Sequence, residues 1–245
     1  MASRFPIWIF IGAVVISAGY LPTLRTPFDF VDDGNLVYPA PPGTTDYTSI
    51  WWEKVRANYE HLGPFRPTLW VHWELFANLF DGNPLVWRIE RLIWCGIATG
   101  MMLWLLSELS IPRMASLIAT AAAMWNPYRN EIWTSLTLAE GVAMPYALLA
   151  LIAARKGATS QRAWIWDLTA VMGLTIALGC KNVFIALIPS IVIMRMWVDG
   201  QPFREVWRTN GWRSLLLVSP AVFVISLFIL LVGPGKYSVD GLTGR

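Results

Sequence analysis

The feature that most constrains this chain is its series of long apolar stretches with few or no charged side chains. The first runs from Phe5 to Leu24, closed by Arg25, and about 20 apolar residues suffice to cross the hydrocarbon core of a bilayer. Six further stretches follow, at about 86–107, 112–127, 137–154, 163–180, 182–198 and 214–233. The third span is short, since only Met114 to Tyr128 is free of charge. Composition agrees with lipid as the solvent. Hydrophobic residues make up 56% and charged residues 14%, against about 25% charged in a soluble domain, and mean hydropathy is +0.49. The expected fold is an all-α integral membrane protein of about seven transmembrane helices, forming one domain over 1–245. Ser17-Ala18-Gly19 are small enough for a signal-peptide cleavage site. The apolar run is long for a signal and later spans follow, which favours an uncleaved anchor.

Residues 26–84 form the longest polar region and face one side as a large first loop. Pro39 to Thr45 is rich in Pro and Gly. Within Tyr47 to Gly63, Trp51, Val55, Tyr59 and Leu62 recur at helical spacing, opposite Glu53, Lys54 and Arg56, which predicts an amphipathic helix on the membrane surface. A second surface helix is expected from Pro67, a favoured first-turn residue, with Leu69, Trp73, Phe76 and Phe80 on one face. Asp81-Gly82-Asn83-Pro84 ends it. With the N-terminus inside, the inside loops hold Arg113, then Arg155, Lys156 and Arg162, then Arg204, Arg208 and Arg213. The outside loops between spans hold only Arg129 and Lys181, so the positive-inside rule puts the large loop outside.

The net charge of +3 is small and the basic residues are scattered, so nothing points to nucleic acid and no nucleic-acid partner is expected. Fifteen tryptophans suit interfacial belts and sugar-stacking surfaces. Cys95 and Cys180 lie in or beside spans with neither metal-ligand spacing nor a disulfide framework. No Walker loop, GxGxxG or CxxC motif is present, so no cofactor is implied. His61 and His72 lack a Ser, Cys or ligand cluster at useful spacing.

The chemistry-bearing residues gather on the outside face. Phe28-Asp29-Phe30-Val31-Asp32-Asp33-Gly34-Asn35 places three carboxylates within five residues. Asp-Asp-Gly alone reads as a solvated turn, while at a membrane surface it can supply a general base. Arg66 precedes the Pro67 helix, whose N-terminus can bind phosphate. Asn126-Pro127-Tyr128-Arg129-Asn130-Glu131 is a connector that also fits an anionic headgroup or a sugar hydroxyl. Lys181 sits between spans five and six, either snorkelling or neutralising a departing phosphate. Within spans, Glu140 and Asp167 are costly unless paired or facing a cavity. Glu140 is the candidate pocket residue and Asp167 is read as structural. Arg88, Glu90 and Arg91 at the head of span two fit a local ion pair.

This ordered set resembles the GT-C superfamily of polyprenyl-phosphate-sugar glycosyltransferases, in the branch of protein O-mannosyltransferases and the bacterial TPR-bearing transmembrane O-mannosyltransferases. The resemblance covers most of the chain, though each motif is short. It implies that Asp32 or Asp33 supplies the catalytic carboxylate and that Arg66-Pro67 matches the family's Arg-Pro helix. Pro127 and Glu131 match a loop that often reads His-Pro-x-x-x-Glu, with Asn126 in place of the His. Lys181 keeps half of a Lys-Glu pair, with Asn182 in place of the Glu. Arg88 and Arg91 stand where the family has His and Asn at the start of span two. Family members have further spans, and often a soluble C-terminal domain, so the resemblance implies a fragment or a reduced relative.

The expected activity is transfer of a sugar from a polyprenyl-phosphate donor to a protein or glycan acceptor. Asp32 or Asp33 is the base, Arg66, Arg129 and Lys181 are the donor-phosphate ligands, and Glu131 and Glu140 are the substrate-pocket residues. Such cations replace a metal, so no obligatory metal is expected. The expected location is the bacterial inner membrane, with the N-terminus cytoplasmic and the active face periplasmic. An alternative from another class is a non-catalytic membrane subunit on a degenerate GT-C scaffold, packing against partner proteins. A transporter fits less well, because few charged or broken-helix sites fall near the bilayer midplane.

Overall fold

The computed structural model describes residues 6–28, 53–54, 56, 66–80, 83–127, 130–196, 203–217 and 219. Among these there is no strand. The helices are α1 (Ile7–Ser17), α2 (Pro67–Phe80), α3 (Pro84–Glu108), α4 (Arg113–Met124), α5 (Glu131–Thr134), α6 (Ala139–Thr159), α7 (Ala163–Cys180), α8 (Ile188–Met196) and α9 (Phe203–Leu216). Two 3-10 segments, Ala18–Arg25 and Asn182–Leu187, extend α1 and lead into α8.

Three helical stretches are long and apolar enough to cross a membrane: Ile7–Arg25, Pro84–Glu108 and Ala163–Cys180. Arg113–Met124 and Asn182–Met196 are apolar but shorter. The 12 residues of α4 extend about 18 Å, well under the roughly 30 Å of a hydrocarbon core. Helix α6 is long enough, but Glu140, Arg155 and Lys156 dilute its apolarity and most of its surface is covered by protein. The outer surface is apolar where lipid would lie. Ile7, Phe10, Ile11, Val14 and Val15 of α1 are exposed, as are Leu85, Ile89, Ile93 and Ile97 along one stripe of α3.

Helix α6 forms the centre, packed on α3, α7 and α8. Its buried side chains are mostly small, including Ala139, Ala143, Ala147, Ala150, Ala153 and Ala154. Between helices in lipid the hydrophobic effect contributes little, so close backbone approach and van der Waals contact hold the bundle. Gly173 of α7 makes that approach possible. A Cβ there would lie 2.8 Å from the Tyr146 carbonyl oxygen and 3.2 Å from the Ala150 nitrogen.

Local rules set the helix ends. Pro22 falls in the 3-10 segment after α1, where a residue without N–H breaks the α-helical ladder. Pro84 occupies the first turn of α3, and the Asn83 side chain accepts a hydrogen bond from the Leu85 N–H at 3.0 Å. The expected stop of the second surface helix therefore also caps the next one. Helix α3 ends with Ser110 at φ 59°, while the Ile111 and Ser110 N–H groups bond the Leu106 and Ser107 carbonyls. This is a Schellman closure, normally built on glycine.

Two expectations change. Helix α2 starts and ends where the sequence predicts, and Leu69, Trp73, Phe76 and Phe80 face inward. Its outward stripe is Val71, Leu75 and Leu79, all exposed, so its outer face is apolar instead of polar. Residues 203–213, expected as loop before a span at 214–233, belong to α9. Val206, Ser214 and Leu217 are buried there, and Ser214 Oγ lies 3.3 Å from Met196 Sδ at the end of α8. A buried stripe on an otherwise charged segment makes the helix. Residues 220–233 of that span lie outside the described residues, as does most of the first expected surface helix.

Candidate functional site

The candidate site lies at the end of the bundle where α1 and α7 finish and α3 and α6 begin. Helix α2 crosses it, burying Leu69, Trp70, Trp73 and Ala77 against Trp87, Leu136, Ala143, Ala177 and Cys180. Gly179 fixes the contact, because a Cβ on it would overlap Thr68 Oγ1. The first turn of α2 therefore sits directly on the last turn of α7. Arg66 is brought to that junction from one side and Lys181 from the other.

Lys181 Nζ forms an ion pair with Glu140 Oε1. Glu140 lies in the first turn of α6, where a carboxylate also meets the positive end of the helix dipole. Both side chains keep partial exposure, 29% for Lys181 and 22% for Glu140, so the pair borders the surface. The carboxylate beside Lys181 thus comes from α6 instead of the next residue in sequence. Arg66 is half-buried, and its Nε is buried without a hydrogen-bond partner among the described residues. The α2 N-terminus, Arg66 and the Lys181–Glu140 pair form one electropositive corner.

Two further arginines organise this end. Arg88 donates to the carbonyls of Thr26 (3.4 Å), Pro27 (2.9 Å) and Thr134. Arg91 donates to the carbonyls of Leu138 (3.2 Å) and Leu136. Both side chains are buried, and guanidinium donors satisfy chain ends that no helix ladder reaches. Arg88 anchors the chain where it leaves the first helical stretch, and Phe28 packs on the same apolar cluster as α2. Glu90 faces His72 of α2, with Nε2 to Oε1 at 3.1 Å. Lys54 pairs with Glu74 and lies 5.9 Å from the Trp70 ring.

The sequence-derived site residues divide accordingly. Lys181 and Glu140 pair, and Arg66 stands two residues before Thr68, whose side chain lies against Gly179 of α7. Glu131 heads the short helix α5 and is exposed, with no ion pair joining it to Lys181 or Arg66 among the described residues. Asp32, Asp33 and Arg129 lie outside the described residues. Among the described residues no three His, Cys, Asp or Glu side chains gather as a metal-holding group. Sequence reasoning missed the carbonyl-holding role of Arg88 and Arg91 and the His72–Glu90 contact. The signal was present: three charges in one turn of an apolar helix are too many to face lipid.

Taken together, the described residues form an all-helical bundle with three helices able to cross a membrane and a polar corner at one end. Comparisons with protein-family models, curated proteins and solved structures find no match.

Proposed function

We propose that the protein is a membrane glycosyltransferase of GT-C type, moving a sugar from a polyprenyl-phosphate donor to an acceptor at the outer membrane face. On this reading the chain is a single seven-span domain in a bacterial inner membrane, with the N-terminus cytoplasmic. The observation that carries it is the meeting of Arg66, the α2 N-terminus and Lys181 at the end where Phe28 leads into Asp29–Asp33. The chemistry needs a base for the acceptor proton, and Asp32 or Asp33 supplies it. It also needs fixed positive charge beside the departing lipid phosphate, which Arg66 and Lys181 supply, with Arg129 from the neighbouring loop. Glu140 holds the Lys181 ammonium in place. The exposed apolar stripe of α2, Val71, Leu75 and Leu79, suits a helix lying against a lipid carrier.

The test is transfer from a labelled lipid-linked sugar by the purified chain and by D32N and D33N. One of the two variants is expected to lose activity by about 10²-fold or more, the usual contribution of a positioned base. Full activity in both sinks the assignment. One observation favours a non-catalytic scaffold subunit: Lys181 is already matched by Glu140. A stoichiometric copurifying partner, with cellular function intact in D32N and D33N, is the result that scaffold predicts.

A further inference from the structure

At the end of the bundle away from the candidate site, α9 is covered on one side. Val206, Ser214 and Leu217 are buried. Ser214 Oγ lies 3.3 Å from Met196 Sδ at the end of α8, and Arg213 Nε lies 3.4 Å from Asp167 Oδ2, early in α7. The other side faces out. Arg204, Arg208, Trp212 and Leu215 recur at helical spacing and share one stripe, and all four are exposed. Trp207 and Leu216 flank that stripe and are exposed as well, at 47% and 52%.

The stripe is graded along the helix. Arginines come first, a tryptophan follows, and leucines end it. At 1.5 Å per residue, Arg204 and Leu215 stand about 16 Å apart along the axis. The order runs from charge through an amphipathic ring to hydrocarbon. A membrane presents the matching order of phosphate, headgroup boundary and acyl chain. A face docked on a protein partner has no need of that gradient.

Charge at this end complements an anionic surface. Residues 108–113, 154–167 and 195–217, the connections between α3 and α9 at this end, contain eight Lys and Arg against four Asp and Glu. Arg155 and Arg195 are buried, Lys156 pairs with Glu108 at 2.7 Å, and Arg213 faces Asp167. Arg113, Arg162, Arg204 and Arg208 are exposed, as is Glu205 on α9. Trp164, at the start of α7, adds a further exposed indole.

We infer that the outward stripe of α9 is a contact surface for anionic phospholipid. Arg204 and Arg208 meet the phosphodiester oxygens, Trp207 and Trp212 lie at the headgroup boundary, and Leu215 and Leu216 face the acyl chains. Both arginines reach those oxygens from the surface, without any opening of the bundle. The planar guanidinium fork matches two oxygens of one phosphate. The contact does not depend on sugar transfer.

The experiment is tryptophan quenching in the full chain, reconstituted in phosphatidylcholine vesicles. The vesicles carry brominated phosphatidylglycerol or, at equal mole fraction, brominated phosphatidylcholine. Phosphatidylglycerol is expected to quench more strongly, and the excess is expected to vanish when W207F and W212F together remove the reporting indoles. An arginine near an anionic surface strengthens association about fivefold. Combining R204Q and R208Q, with both indoles kept, is therefore expected to lower the preference for phosphatidylglycerol on the order of tenfold. R25Q, which removes an exposed charge at the other end, is expected to keep the preference. Equal quenching by the two lipids overturns the inference, as does a preference that survives the loss of Arg204 and Arg208 or falls equally in R25Q. Indoles on α9 that neither lipid quenches would assign the face to a protein partner, and that result overturns it too.

Discussion

Arg91 shows what a buried charge does in this bundle. Its guanidinium reaches the carbonyls of Leu136 and Leu138, the segment leading into α6, and Gly141 leaves it the space. A Cβ at Gly141 would overlap Arg91 Nη1 and lie 3.1 Å from the Ile132 carbonyl oxygen. Alanine usually improves a helix over glycine by roughly 0.5–1 kcal/mol. Here G141A is expected to lower the unfolding free energy by about 2–3 kcal/mol, because hydrogen bonds from a charged donor contribute roughly 1.5–3 kcal/mol each. Reversible unfolding in mixed micelles measures this. In an R91Q background the same substitution is expected to cost under about 1 kcal/mol, since the displaced group is gone. A full cost in that background would mean that crowding against Ile132, not loss of the Arg91 bonds, dominates. Sequence alone could place Arg88, Glu90 and Arg91 together at a helix head. It could not show that the partners are backbone carbonyls some forty to sixty residues away, because any residue offers a carbonyl. Lys181 and Glu140 were each legible as site candidates, but their pairing depends on how α6 and α7 stand side by side.

At the scale of elements, helix positions were legible wherever an uncharged run met a proline, a cap or a charge. The expected spans at 86–107 and 163–180 coincide closely with α3 and α7. What pattern reading could not supply was the packing face of an apolar helix, because α6 and α7 are apolar nearly all round between their charged ends. Small residues decide it. Gly173 sits against Tyr146 and Ala150 backbone atoms, whereas Gly100 of α3 has only the Ala13 Cβ near it, at 3.6 Å. G173A is expected to destabilise by about 1–2 kcal/mol, since two backbones must separate. G100A is expected to stabilise by about 0.5–1 kcal/mol through helix propensity. Opposite signs for two Gly-to-Ala changes in apolar helices would establish the α6–α7 contact as the bundle's tightest seam. Equal effects would refute it. The same blindness to partners explains α9: its charges read as loop, while its buried stripe is set by α8.

For the whole molecule, each end mixes buried, paired and exposed cations. At the end crossed by α2, Arg88 and Arg91 turn inward onto carbonyls, Lys181 pairs with Glu140 and Lys54 pairs with Glu74. Arg25 is exposed at that end; at the opposite end Arg113, Arg162, Arg204 and Arg208 are exposed, while Arg155 and Arg195 are buried and Lys156 pairs with Glu108. The argument for the α2 end outside therefore stays with the count of Lys and Arg in the loops. Cysteine labelling in intact cells tests that orientation. Both native cysteines, Cys95 and Cys180, are buried, so background reaction is expected to be low. Asn130, beside α5, and Gln161, between α6 and α7, are exposed at opposite ends. N130C is expected to react with a membrane-impermeant thiol reagent in intact cells, and Q161C only after permeabilisation. The reverse pattern would put the Lys181 corner in the cytoplasm, away from any acceptor on the outer face, and the proposed transfer would fail with it.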